Sequence, residues 1–134
     1  MANAPRGTRV LVIDDEALIC RLLTMALTGD GYEVETVENA ADGRQAFART
    51  TYDVLIADLN LPGTRGYDLA AEARRLNPLL RTIILTGESD TDTDEASREW
   101  QVDRVLTKPF QVSDLLLALG DLIEQARPPS EPRT

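Results

Sequence analysis

The chain has 134 residues, 43% hydrophobic and 28% charged, an ordinary globular mixture at the size of one core, which argues against a two-domain enzyme and against full-length disorder. Its 14 basic and 23 acidic residues leave a net charge of −9, so no nucleic acid is expected as a direct partner, because neutralising phosphates needs a basic surface.

Residues 1–9 contain no long apolar run, and no stretch approaches the roughly 18 apolar residues of a membrane helix. The expectation is a cytoplasmic protein with no membrane contact. Arg9 to Ile13 is almost continuously apolar and ends abruptly in Asp14-Asp15-Glu16. Such a run, apolar on both faces, suits a strand buried in a parallel sheet. Leu18, Ile19, Leu22, Leu23, Ala26 and Leu27 then follow helical spacing, with Gly29 and Gly31 as the stop. Tyr32 to Val37 alternates like a half-covered or edge strand.

Asn39 is placed to cap a helix running to about Arg49. Val54 to Ala57 is a second buried run and also ends at an acid, Asp58. A turn at Leu61-Pro62-Gly63 leads into a helix over 66–76, which stops before Pro78. Thr82 to Thr86 reads as a fourth strand, 88–95 as an acidic segment followed by a weak helix, and Val102 to Thr107 as a fifth strand. Lys108-Pro109-Phe110 breaks that strand, and a last helix starts at Ser113 or Asp114. Residues 127–134 form a tail without a hydrophobic face, so the folded domain is expected over 8–126. Strands alternating with helices predict an α/β protein: a doubly wound, five-stranded parallel sheet with helices on both faces.

In an open parallel sheet, ligands bind outside the carboxyl ends of the strands. Four of the five predicted strands end in a reactive group: Asp14 and Asp15, Asp58, Thr86 and Lys108. The chain has no histidine, which excludes a Ser-His-Asp triad and any histidine-ligated metal. Its single cysteine, Cys20, excludes an internal disulfide and suits a reducing compartment. Three carboxylates with no soft ligand make a hard, oxygen-rich site that suits magnesium. Without a cation they repel and raise one another's pKa. Lys108 offers a balancing charge, Thr86 a hydroxyl donor, and a strand-end carboxylate a nucleophile. Together these parts suit phosphoryl transfer, which needs positioning and charge neutralisation. Taken singly each has a bland explanation: turn or cap for an Asp, β-former for the Thr, solvated charge for the Lys. Their joint occurrence at successive strand ends is what points to chemistry.

Four stretches, 10–16, 55–63, 84–87 and 106–110, resemble in order and spacing the motifs of response-regulator receiver domains of two-component signalling. The resemblance spans roughly residues 8 to 125. It implies the flavodoxin-like arrangement, with β-α repeated five times. It also implies that Asp58 is the phosphoacceptor, which takes its phosphoryl group from a phosphohistidine on a sensor histidine kinase or a histidine phosphotransfer protein. Asp15 then binds Mg2+ directly, Asp14 mainly through water, and the Asn60 backbone carbonyl completes the protein ligands beside Asp58. Thr86 is the switch hydroxyl, Lys108 pairs with a phosphoryl oxygen, and the Lys108–Pro109 bond is cis.

Two departures stand out. The family has Tyr or Phe three residues before the lysine, where this chain has Val105, so a rotating aromatic cannot carry the signal. The Gly-Ala that usually follows the fourth helix is replaced by Gln101-Val102, preceded by Trp100. The segment 88–101 is therefore expected to be the mobile carrier of output, with Trp100 as its probe. About ten residues follow the last predicted helix, which leads to the expectation of a stand-alone receiver acting on a downstream protein target by contact or by phosphorelay. The alternatives are a receiver fragment of a larger regulator or hybrid kinase, a degenerate binding module, and a small aspartate-nucleophile phosphatase. Asn60, two residues after Asp58, stands where such a phosphatase has its second acid.

Overall fold

The computed structural model describes residues 7–87 and 102–125. Five parallel strands build the main sheet: β1 (Arg9–Ile13), β2 (Glu33–Val37), β3 (Val54–Asp58), β6 (Arg81–Thr86) and β7 (Arg104–Thr107). Their order is β2-β1-β3-β6-β7. Four helices are described: α1 (Ala17–Gly29), α2 (Ala40–Arg49), α3 (Gly66–Leu76) and α4 (Val112–Gln125). The helix expected between Asp92 and Gln101, Trp100 with it, and the tail over 127–134 lie outside the described residues.

Strand composition follows strand position. The central β3 is buried at every residue, and β1 and β6 at all but the first. The outer β2 is half-buried or exposed throughout, in keeping with its alternating Glu33 and Glu35. Because side chains alternate across a strand, the apolar runs divide between two cores. Leu11, Ile13, Leu55, Ala57 and Ile84 pack with α2 and α3 on one face. Val10, Val12, Ile56, Ile83 and Leu85 pack with α1 and α4 on the other. The doubly wound arrangement follows from this split.

Local signals hold with small shifts. The Asn39 side chain accepts a hydrogen bond from the Asp42 amide at 2.8 Å, capping α2. Helix α1 runs through Gly29, and the chain turns at Gly31, whose φ of 98° needs glycine. The last strand begins at Arg104 rather than Val102, and α4 begins at Val112 rather than at Ser113 or Asp114, the Gln111 carbonyl accepting from the Asp114 amide at 3.0 Å. The turn at Leu61-Pro62-Gly63 is the tip of a small antiparallel hairpin, β4 (Asn60–Leu61) with β5 (Thr64–Arg65).

The apolar periodicity of α1 overstates its buried face. Cys20, Leu23 and Leu27 are buried, whereas Leu18 and Leu22 face solvent together with Met25. In α4, Gly120 is exposed, and an added Cβ there would meet nothing within 4 Å. Gly120→Ala should therefore raise stability by about 0.5–1 kcal/mol through helix propensity alone. Urea denaturation should show a higher midpoint at unchanged slope.

Candidate functional site

The parallel register carries the strand ends to one edge of the sheet. Ile13 lies opposite Ala57, and Asp58 opposite Leu85, so Asp14, Asp58 and Thr86 leave three neighbouring strands within a residue of one another. Thr86 lies opposite Thr107, and the Lys108 amide donates to the Thr86 carbonyl at 2.6 Å, which places Lys108 at the same edge. The Lys108–Pro109 peptide is cis, as the resemblance implied.

Carboxylate oxygens of Asp14, Asp15 and Asp58 lie within 4.8 Å of one another. Asp14 is fully buried, Asp58 nearly so, and Asp15 exposed. Asp14 Oδ1 accepts from the Glu16 amide at 2.9 Å. Asp14 Oδ2 is buried and paired with Lys108 Nζ at 3.0 Å. The same ammonium stands 2.7 Å from Glu16 Oε1 and 3.7 Å from Asp58 Oδ1. The Asn60 amide donates to Asp58 Oδ1 over a long 3.4 Å. Thr86 is buried, and its hydroxyl donates to the Gly87 carbonyl at 3.4 Å.

Electrostatics follow from burial. Loss of solvation pushes the Asp14 carboxyl up, against the opposing pull of the Glu16 amide and Lys108. Burial also raises Asp58; Lys108 draws it down and Asp14 pushes it up. For Lys108, burial alone disfavours the charged form, but Glu16, Asp14 and Asp58 outweigh it and hold the ammonium above its ordinary value. The site is thus an excess of buried negative charge held by one lysine. A hard divalent cation fits it: oxygens of three carboxylates converge, two of the three acids are buried, and no soft ligand stands among them.

The sequence-derived residues Asp14, Asp15, Asp58 and Lys108 come together, with Asn60 and Thr86 on adjoining backbone. Three contributors were missed. Glu16 holds Lys108; its only signal was being the third acid of a run. Cys20 is buried under the site, and its thiol donates to the Asp14 carbonyl at 3.3 Å. Gly66 begins α3 against the acid-bearing strand end: an added Cβ would lie 2.5 Å from the Asp58 carbonyl oxygen and 3.0 Å from Leu59 Cα. A glycine opening a predicted helix was the available clue.

Comparison with known proteins gives one consistent answer. A family model for the response regulator receiver domain matches residues 10–120. Transcriptional regulatory protein GlrR of Escherichia coli is 33% identical over 99% of this chain and 30% of its own length. Transcriptional regulatory protein TcrA of Mycobacterium tuberculosis is 35% identical over 94% of this chain and 50% of its own length. The chain therefore spans half or less of these curated relatives. Among solved structures, a response regulator receiver domain protein from Clostridium thermocellum superposes with a TM-score of 0.82 at 32% identity, covering 88% of this chain and 95% of that one. Response regulator protein TrrA from Thermotoga maritima, in complex with Mg(2+)-BeF, gives 0.76 at 34% identity, over 86% of this chain and 98% of that one.

Proposed function

Because this chain belongs to the response regulator receiver domain family, we infer that it is a phosphorylation-driven switch whose receiver unit, residues 8–126, accepts its phosphoryl group on Asp58. The observation that carries this reading is the convergence of Asp14, Asp15, Asp58 and Lys108 at the carboxyl edge of the sheet. The donor is a phosphohistidine on a sensor histidine kinase or a histidine phosphotransfer protein. An Asp58 oxygen attacks phosphorus, the P–N bond breaks, and the imidazole nitrogen keeps the electron pair. The product is an acyl phosphate on Asp58, and its hydrolysis returns carboxylate and inorganic phosphate. The chain thus acts only on its own phosphorylation state.

Asp15, Asp58 and the Asn60 carbonyl would hold Mg2+, with Asp14 contributing through water. Bound there, the ion supplies positive charge for the phosphoryl oxygens. The complex of TrrA with Mg(2+)-BeF supports this assignment. Lys108 pairs with a phosphoryl oxygen, and Thr86 supplies the hydroxyl that turns toward it. With Val105 in the usual aromatic position, Thr86 acts on the segment after β6 through the backbone. Output passes to a protein partner, by contact or by onward transfer.

Incubation with acetyl phosphate and magnesium, read by intact mass, tests the reading. One phosphoryl group should appear, and none when the metal is chelated; equal labelling without magnesium would remove the mechanism.

Lys108→Ala should still fold, because both hydrophobic cores are untouched, but with lower stability, since Asp14 is left buried without its counter-charge. It should accept phosphate roughly tenfold more slowly, on the scale of one lost charge-assisted contact. Lys108→Arg should restore only part of the rate, because a planar guanidinium does not replace a compact ammonium. An arginine variant as fast as wild type would show that charge alone suffices.

A further inference from the structure

We propose that Glu16 is a positioning residue that parks the Lys108 ammonium away from Asp58 until a phosphoryl group arrives. Of the three carboxylates facing Lys108 Nζ, Glu16 stands closest at 2.7 Å and Asp58 farthest at 3.7 Å. The ammonium has three protons to donate. In the resting arrangement its short contacts go to Glu16 and Asp14, and the phosphoacceptor lies beyond hydrogen-bond reach.

The position of Glu16 in the fold makes this contact unusual. Glu16 is the N-cap residue of α1, where negative charge is favoured and a capping side chain bonds the first amides. Its side chain makes no such bond. The carboxylate instead reaches a lysine 92 residues away in the chain. Glu16 is also not among the three acids whose oxygens converge to suit a cation. It can therefore be changed without removing a candidate metal ligand.

The two anchors of Lys108 differ in character. Asp14 is fully buried, whereas the Glu16 side chain is 58% exposed, so water readily replaces the lysine there. When phosphoryl oxygens appear on Asp58, the flexible stem of Lys108 lets the ammonium leave Glu16 and remain near Asp14. Glu16 thus competes with the phosphoryl group for Lys108, and its removal frees the ammonium in advance. This inference rests on Asp58 being the phosphoacceptor.

The test is a double-mutant cycle on the full chain, with acetyl phosphate and magnesium, read as the rate of Asp58 phosphorylation. Glu16→Gln should accelerate wild type about two- to fivefold, the scale of a solvent-exposed ion pair. In the Lys108→Ala background the same substitution should change nothing. An equal acceleration in both backgrounds would mean that Glu16 acts only through its charge on the approaching donor, and would overturn the proposal. So would the absence of acceleration in wild type. A second measurement does not depend on phosphorylation: the side-chain ammonium resonance of Lys108 in metal-free protein should shift in Glu16→Gln, and an unmoved resonance would also overturn it. Wild type labelled on Asp58 with an inert Glu16→Gln refutes the parking role alone. Wild type that takes no phosphoryl group on Asp58 refutes the functional reading as well.

Discussion

Asp58→Asn should abolish phosphorylation and at the same time make the metal-free domain more stable. The first effect is loss of the nucleophile, and the rate with acetyl phosphate should fall roughly 10³-fold or more. The second follows from burial. Desolvation holds the folded-state carboxyl of Asp58 above its unfolded value of 3.8. For a carboxyl shifted upward, the associated stability is fully present below the unfolded pKa and is lost as pH rises through the folded pKa. At neutral pH the charged form is therefore a burden on the fold. Neutral Asn removes it, and the gain should be about 1 kcal/mol, or roughly 3–5 °C in Tm. The advantage should shrink as pH falls through the folded pKa and vanish below the unfolded value, where wild type is also neutral. Magnesium should narrow the gap by stabilising wild type more than the variant. Thermal melts across pH, with and without magnesium, check all of this; a variant less stable than wild type at neutral pH without metal would contradict the excess of negative charge.

Gly66→Ala should damage the site without touching any charged group. The new Cβ would meet the Asp58 carbonyl oxygen at 2.5 Å, the Asp58 carbonyl carbon at 3.1 Å and Leu59 Cα at 3.0 Å. All three are backbone atoms, which cannot rotate away as a side-chain tip can. The Gly66 amide also donates to the Leu59 carbonyl at 2.8 Å, binding the start of α3 to the same segment. The carboxyl end of β3 must shift, carrying Asp58 and the Asn60 carbonyl with it. A cost of about 1–3 kcal/mol is expected from the overpacking. Phosphorylation should slow by at least about tenfold, since misplacement of a reacting group by an ångström is felt strongly. Denaturant melts and the acetyl phosphate assay on the folded fraction separate the two effects. Wild-type rates in a folded Gly66→Ala would show that the strand end tolerates the shift.

The sequence by itself determined where chemistry could occur. Short apolar runs closed by an acid or by Thr86 read as buried strands with polar groups at their ends. A parallel sheet then brings those ends to one edge whatever the loops do. Asn39 as a cap, the alternation in β2 and the start of α3 at Gly66 were equally legible, because each depends on neighbours in the chain. Tertiary structure decided what depends on distant partners. Periodicity gave α1 an apolar stripe, but only packing against α4 and the sheet selected Leu23 and Leu27 for the core and left Leu18 and Leu22 outside. The role of Gly66 needed the approach of α3 to the Asp58 backbone, which no local pattern encodes. The competition for Lys108 arises only when β7 ends beside the loop after β1, bringing Glu16 within 2.7 Å of a residue 92 positions away. Local preference is written in neighbouring residues; charge pairing and close approach exist only once the sheet has set distant strand ends side by side.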